Sequence, residues 1–502
     1  MPLSATELAG IVGADRVATD KATLELFAHD IASAGAIPLA VVRPADEDQL
    51  AATVAAATGA GLAVYPRGGG HSYTAGYLAD RPGGIVLDLT DLNRIIEIDD
   101  AARTVTVQAG CTWAMLYDAL GTKGWRTPFF GPLSGMVATV GGSLSQDAAF
   151  FGSARHGTVR ETVIGLVVIA ADGRRLVTGG SGPDLTGLFV GDCGALGIKA
   201  RATLRLIAPP ETTAFASLDF PTAESLLNAE AALVGVDGLA EVWGFDPESH
   251  RNLHRTGFGA MEGAQLAADV ARGGGLRGLA GLMRSGKAFV RDLRHSLHVV
   301  AEGDEPVVAH ALGKVAEMAT AHGGTPIPDT IPRVTRARPF RPIKALLGPD
   351  GENWLPVHGV FPAGRARDGY AAASQVLAEH GDTMAEHDIR ATVLTVVAGA
   401  SILVEPQLFW PDALNAFHRH HATPDQVKRH GERPSNPAAR EAAHALRKAL
   451  AAAMDGAGAT NYQLGRTYDY ARSLAPDTLA LLRTVKHHLD PRGLINPGVL
   501  GL

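Results

Sequence analysis

Three glycines and a histidine follow directly on an extended run in Tyr65-Pro66-Arg67-Gly68-Gly69-Gly70-His71-Ser72-Tyr73. Glycine has no Cβ, so successive backbone N–H groups can turn toward one point and a ligand can approach the main chain. Such a loop is either a nest for a diphosphate or a plain flexible turn, and alone it does not choose between them. Two further glycine elements point to a ligand. Pro132-Leu133-Ser134-Gly135 leads into Thr139-Val140-Gly141-Gly142-Ser143-Leu144-Ser145-Gln146, whose hydroxyls can donate to phosphate oxygens, and Gly152, Arg155, Gly157 and Thr158 follow. Gly191-Asp192-Cys193-Gly194-Ala195-Leu196-Gly197-Ile198 runs straight into a strand. Three such loops in one stretch suggest a long ligand threaded between subdomains. No G-x-G-x-x-G follows the first strand, and Gly68 to Ser72 lacks the Lys-Ser/Thr pair of a nucleoside-triphosphate loop. A flavin dinucleotide therefore fits better than NAD or a nucleoside triphosphate.

The elements that must position these loops alternate at close spacing. Pro38 to Val42 reads as a strand, and Asp46 caps a helix through Ala57 that Gly59 and Gly61 end. Leu62 to Tyr65, Ile85 to Leu89 and Thr104 to Gln108 read as strands, and Trp113 to Leu120 as a helix. Val163 to Ala170, the Asp172-Gly173 turn and Arg175 to Thr178 form a hairpin, and Gly197 to Leu206 a last strand before Pro209-Pro210. From Glu211 the strands and helices lengthen, with a Gly/Arg-rich stretch from Arg272 to Arg294. From Leu474 the chain is helical again and ends in Asp490-Pro491-Arg492-Gly493-Leu494-Ile495-Asn496-Pro497-Gly498. This is an α+β chain: residues 1–210 a cofactor domain of two subdomains, 211–473 a substrate (cap) domain with an antiparallel sheet, and 474–502 a tail returning to the first domain.

The Pro-Arg-Gly-Gly-Gly segment, the Thr-Val-Gly-Gly-Ser-Leu-Ser turn, Asp184-Leu185-Thr186-Gly187-Leu188-Phe189 with the glycines after it, and the terminal Ile-Asn-Pro-Gly resemble the FAD-linked oxidases. That superfamily, with its PCMH-type FAD-binding fold, includes vanillyl alcohol oxidase, FAD-dependent D-lactate dehydrogenases and the berberine bridge enzymes. The resemblance runs over nearly the whole chain in element order and is weaker in the second domain. It implies FAD in the N-terminal domain, held by Pro66, Arg67, Gly68, Gly69, Gly70, His71, Ser72, Tyr73, Pro132, Leu133, Ser134, Thr139, Gly141, Gly142, Ser145, Gln146, Gly152, Arg155, Gly157, Gly194, Gly197, Ile198 and Asn496. Arg67 to Tyr73 is similar to the berberine-bridge-type sequence whose histidine bonds to the flavin 8α-methyl, so the resemblance implies a covalent link at His71. The other reading leaves His71 hydrogen-bonding near the pyrophosphate. A second, cysteinyl link is not expected, because Met136 and Val137 stand where that cysteine would be.

Alcohol oxidation by a flavin needs a base for the hydroxyl proton and a cation near the ring that accepts the hydride. Vanillyl alcohol oxidase relatives carry Tyr and Arg near the position of Tyr462 to Tyr470, which implies Arg466 at the flavin and Tyr462 or Tyr468 on substrate oxygen. Their adjacent Tyr-Arg spacing is not kept here, and Arg466 and Tyr468 could equally serve packing. His358 and Glu405 are the candidate bases, each also readable as a satisfied interior residue. The expected activity is hydride transfer from a CH–OH carbon of a small alcohol or hydroxy acid to FAD, with oxygen or an electron acceptor as reoxidant. The alternatives are a para-substituted phenol oxidised through a quinone methide, or a non-catalytic flavin-carrying subunit.

Composition bounds the rest. Hydrophobic residues make up 46% and charged residues 19% of 502 residues, and 45 basic against 52 acidic side chains leave −7, which argues against a nucleic-acid partner. Two cysteines exclude a disulfide framework and suit a reducing, cytoplasmic compartment. Ser4 with Glu7 reads as a capping box rather than a leader, and no stretch is apolar enough to span a membrane. No metal is expected: His418, His420 and His421 cluster in what reads as an exposed linker. Arg272, Arg277, Arg284, Lys287, Arg291 and Arg294 make a basic stretch that reads as a solvated face or as a surface for a membrane or electron acceptor. The composition is also compatible with a homo-oligomer.

Overall fold

The computed structural model describes residues 3–180, 182–255, 293–340 and 347–502. Of the basic stretch, Arg272, Arg277, Arg284, Lys287 and Arg291 lie outside these residues, and Arg294 pairs with Asp219 at 2.9 Å.

Two sheets belong to the first two hundred residues. Strands β1 (Val17–Ala18), β2 (Ala40–Val42), β3 (Val64–Arg67) and β4 (Ile85–Asp88) form one, in the order β1-β2-β4-β3, with β2, β4 and β3 parallel. Its parallel strands read Ala-Val-Val and Ile-Val-Leu because both faces are covered. Strands β5 (Ile95–Asp99), β6 (Thr104–Gln108), β7 (Val163–Ile169), β8 (Arg175–Val177) and β9 (Ile198–Arg205) form an antiparallel sheet in the order β5-β6-β9-β7-β8. The expected strands and helices of this half lie within two residues of those observed. The Ser4 capping box and the Asp46 cap are both made, each contributing about 1 kcal/mol.

The third sheet has eight strands: β10 (Thr212–Phe220), β11 (Leu239–Phe245), β12 (His295–Gly303), β13 (Thr325–Ile327), β14 (Asn353–Pro356), β15 (Gly359–Pro362), β16 (Arg390–Ala398) and β17 (Ser401–Trp410). All its pairings are antiparallel. Alternation along each strand gives it two faces. Leu297, Val299, Val393, Val404 and Leu408 bury one face against helices such as Glu305–His322, Ala366–Glu379 and Pro437–Gly456. On the other face the register sets Trp243, Val396, Leu403 and Val360 in one row and Phe245, Leu394 and Glu405 in the next. This face packs on Phe130, Phe150 and Phe151 of the first domain, and Tyr462 joins the same cluster. Glu405 therefore arrives over the first domain through strand register.

Residues 494–496 bond to the edge strand β3 of the first sheet. Val64 N–H donates to the Leu494 carbonyl and Asn496 N–H to the Val64 carbonyl, both at 2.8 Å. Buried Lys486 donates to the carbonyls of Ala195 and Ile495 and to Asp490, at 2.7, 2.8 and 2.6 Å. Every ammonium proton is thereby used to fasten the tail to the third glycine loop.

Candidate functional site

A cleft lies where the three glycine loops converge. Its walls include Pro66, Gly68, Gly69, Gly70, His71, Ser72, Pro132, Ser134, Thr139, Gly141, Gly142, Ser145, Gln146, Gly194, Gly197 and Ile198 of the residues singled out from sequence. The loops fit only because they are glycine. A Cβ on Gly69 would overlap the Val137 carbonyl oxygen, and Gly70 holds φ +73°, where its carbonyl receives the Tyr77 hydroxyl.

The remaining sequence candidates sit outside the lining. The Arg67 guanidinium turns under the loop and stacks over Phe27 and Tyr77 at 4.2 and 5.1 Å. Leu133 is exposed and Tyr73 is buried behind Ser72. Gly152 donates to Glu241 at 2.8 Å, Arg155 pairs with Asp237 at 2.8 Å, and Gly157 ends the short helix Ser153–His156. Asn496 donates from Nδ2 to the carbonyls of Gly76 and Cys193, both at 2.7 Å, and so holds the first and third loops together from behind.

Several lining residues were not in the sequence assignment: Gly76, Tyr77, Leu89, Ala109, Ala138, Ser143, Ala148, Cys193, Lys199 and Gln463. Gly76 and Tyr77 simply continue the first loop. Lys199 is paired with Asp192 at 2.5 Å inside the wall. Gln463 comes from far along the chain, placed by its N–H donating to the Gln146 carbonyl at 2.8 Å.

Beyond the cleft lies a group of buried polar side chains, one tyrosine away. The Tyr73 hydroxyl donates to Glu405 Oε2 at 3.4 Å, and Gln407 Nε2 donates to Glu405 Oε1 at 2.7 Å. No cation faces this carboxyl within ion-pair distance among the described residues, and burial pushes its pKa up to about 7. Tyr462 carries a buried hydroxyl with no partner among the described residues, close enough to feel the charges of Asp147 and, less strongly, Glu405.

The other three candidates, His358, Tyr468 and Arg466, bond to one another or to main-chain groups. His358 Nε2 lies 2.5 Å from the Tyr462 carbonyl oxygen, so it must donate, and Nδ1 then accepts from the Tyr468 hydroxyl at 3.3 Å. The His358 N–H also donates to the Tyr468 oxygen at 2.8 Å. Burial lowers the His358 pKa to about 4, so the ring is neutral and both nitrogens fasten the Tyr462–Tyr468 segment to the sheet. The Arg466 guanidinium donates to three main-chain carbonyls, those of Ala75 and Leu78 (2.6 and 2.7 Å) and of Pro497 (2.6 Å). It staples the first loop to the C-terminal tail.

His71 lines the cleft with its Nδ1 2.9 Å from the Gly69 carbonyl oxygen. Burial lowers its pKa to about 4. Phe417 and His421 pack against its ring, at centroid distances of 5.3 and 4.7 Å. They belong to the helix Ala416–His421, where an exposed linker was expected: Asn415 caps it and Phe417 and His418 are fully buried. Local charge and Pro424 suggested a loop, but the apolar Phe417 anchors the segment against the first domain. No group of metal-ligating side chains occurs among the described residues.

Residues 38–179 match the family described as FAD binding domain, and residues 433–500 match the FAD linked oxidases, C-terminal domain. The chain thus carries two segments similar to the two domains of FAD-linked oxidases. The cleft lies largely within these two matched segments. Among curated proteins, it is 34% identical over 182 residues to glycolate oxidase subunit GlcD of Bacillus subtilis (35% of this chain, 38% of that protein). It is 32% identical over 228 residues to D-2-hydroxyglutarate dehydrogenase of Xanthomonas citri pv. viticola (44% and 48%). The matches thus span less than half the length of these two relatives. Among solved structures, p-cresol methylhydroxylase is similar with a TM-score of 0.74 at 17% identity, covering 99% of this chain and 96% of the other. Alkyldihydroxyacetonephosphate synthase is similar at 0.68 and 15%, covering 98% and 84%. At such identities these two establish the fold.

Proposed function

We propose that this chain is an FAD-dependent oxidoreductase acting on a CH–OH donor, with the cofactor in the glycine-loop cleft joined to His71. When bound, FAD supplies the acceptor for the hydride. The loops offer it backbone N–H groups and the hydroxyl of Ser134, and the glycine-lined walls let a dinucleotide approach the main chain. Cap residues within 211–473 face the substrate.

The observation that carries the reading is Glu405: a buried carboxyl with a pKa near 7, held by Gln407 and Tyr73 beside the cleft. A base with that pKa takes a hydroxyl proton at neutral pH and shares it with no counter-ion. In this reading the unpartnered Tyr462 hydroxyl holds the substrate oxygen while the proton moves. His358, neutral and bonded at both nitrogens, positions Tyr462 and takes no proton. Oxidation of a para-substituted phenol would need a cation beside two tyrosines. The terminal nitrogens of Arg466 serve three carbonyls, whereas the buried Arg447 guanidinium is a cation lying near two tyrosines, Tyr73 and Tyr468.

Two free, buried cysteines suit a reducing compartment. Among the described residues no helix is long and apolar enough to cross a membrane. The test is to mix the purified chain anaerobically with a panel of 2-hydroxy acids, polyols, benzylic alcohols and 4-alkylphenols. Bleaching of the flavin colour by a hydroxy acid or alcohol supports the reading. Bleaching by 4-alkylphenols alone replaces it with the phenol reaction.

A further inference from the structure

The wall of the cleft at His71 is thin and made of rings. His421 meets the His71 ring at a centroid distance of 4.7 Å, and His420 meets His421 at 4.8 Å, each pair edge to face. Phe417 packs against both His71 and His421, at 5.3 and 4.3 Å. His71 lines the cleft, His421 is half-buried and His420 is exposed, so the rings run in contact from the cleft to the surface. Anchoring the helix Ala416–His421 does not require the outer two, because Phe417 is the residue fully buried against the first domain. Burial lowers the His421 pKa to about 3, so that ring is neutral and brings no charge into the wall.

The outer end of this path opens among cations. Arg419, Lys428 and Arg429 are exposed, and none lies within ion-pair distance of a carboxylate among the described residues. Arg419 donates to the Gly431 carbonyl at 2.7 Å and thereby folds the helix Pro424–His430 back on Ala416–His421. Between Ala416 and Arg433 the sequence holds Arg419, Lys428, Arg429 and Arg433 against Asp425 and Glu432, in a chain whose net charge is −7. Dioxygen is small and neutral and gains nothing from such a surface, whereas a protein that must dock is steered by it.

Resting on the reading that FAD lies in the cleft beside His71, we propose that the helices Ala416–His421 and Pro424–His430 form the docking surface for a one-electron acceptor protein with an acidic face, and that His421 and His420 provide the short path to it. The hydride taken from the substrate brings two electrons and one proton into the cleft. The electrons leave one at a time to two successive acceptor molecules, each reduced by one electron, and the proton passes to solvent.

The experiment uses the purified full-length chain with its flavin, reduced anaerobically with a stoichiometric amount of dithionite. Reoxidation is followed with two one-electron acceptors, the trianion ferricyanide and the trication tris(phenanthroline)cobalt(III). Added salt is expected to slow the wild type with ferricyanide. The double variant Lys428→Glu/Arg429→Glu is expected to lose about tenfold in ferricyanide rate at low salt and none with the cobalt complex. His420→Cys is then labelled with a maleimide–polyethylene glycol, the two native cysteines being buried. Compared with its unlabelled form, it is expected to be slowed with both acceptors. The same label on Leu481→Cys, exposed on the helix Pro476–Leu489, is expected to slow neither. A charge-reversed chain with the ferricyanide rate of wild type, or a label at position 420 without effect, overturns the inference and leaves FAD in the cleft. A chain that purifies without flavin overturns the reading on which the inference rests.

Discussion

Replacing Glu405 with glutamine separates its chemical role from its structural one. The amide keeps the size of the side chain and can still bond to Gln407 and Tyr73, so the sheet and its aromatic face are preserved. What is lost is the ability to take a proton. A positioned general base contributes about 10²–10⁴ in rate, equivalent to about 3–5 kcal/mol of barrier. In the wild type, flavin reduction should fall tenfold per pH step below about 7 and level off above it, because only the ionised carboxyl is competent. In Glu405→Gln the rate should drop by that factor and the inflection should vanish. The same burial makes an opposite forecast for stability. A carboxyl moved from its ordinary 4.5 up to about 7 has its charged form disfavoured by about 3 kcal/mol. The folded pKa is raised, so the stability this group contributes is complete below pH 4.5 and is lost as pH rises through 7. At pH 8 the glutamine variant should therefore unfold at a higher temperature than wild type, while at pH 4 the two should coincide. Anaerobic stopped-flow and thermal melts at both pH values check the pair. Reduction within tenfold of wild type, or a surviving inflection near pH 7, would refute Glu405 as the base.

Three other perturbations follow from the same structure. Arg466→Ala removes three charged donors from the Ala75, Leu78 and Pro497 carbonyls and should cost about 3–5 kcal/mol of stability, read as a lowered melting temperature; an unchanged melt with slowed flavin reduction would instead place Arg466 at the reacting ring. Glu230 is fully buried with one oxygen bonded to Thr395 and the other unpartnered among the described residues, and burial lifts its pKa to about 8, so wild-type stability should fall as pH rises through 8 and Glu230→Gln should abolish that fall. Gly69→Ala drives a methyl into the Val137 carbonyl and should lower the flavin-to-protein ratio on purification, because the loop can relax only by opening the cleft.

The parts of the site set by local chemistry were legible in the sequence. A strand followed by Gly68-Gly69-Gly70 is a consecutive-residue signal, whereas the Thr139–Gln146 stretch, read as a glycine-rich turn, forms the helix Val140–Gln146 opened by the Thr139 cap. Residues that act through distant partners were not legible. Arg466 invites a catalytic reading beside its tyrosines, yet two of its acceptors lie 391 and 388 residues away. His358 looked like a base because nothing local shows that the Tyr462 carbonyl, 104 residues on, uses one nitrogen. Glu405 was one of two equal candidates, and only the register with Leu394 and the approach of Tyr73 separate it from the apolar residues around it. Gln463 reaches the cleft through a bond to Gln146 that no spacing rule encodes. Phe417 gives a further case: one buried aromatic folds a stretch whose charges suggested a loop.

In the proposed reaction a flavin in the glycine-loop cleft takes hydride from a CH–OH carbon with Glu405 as the base. The most direct measurement is anaerobic flavin reduction in the wild-type chain with a responding alcohol or hydroxy acid, comparing the substrate with its deuterium-labelled form at the carbinol carbon across pH 5 to 9. The account predicts bleaching slowed by deuterium and a rate that climbs to a plateau with an inflection near 7. A chain that binds no flavin, or a flavin that no CH–OH donor bleaches, would contradict it.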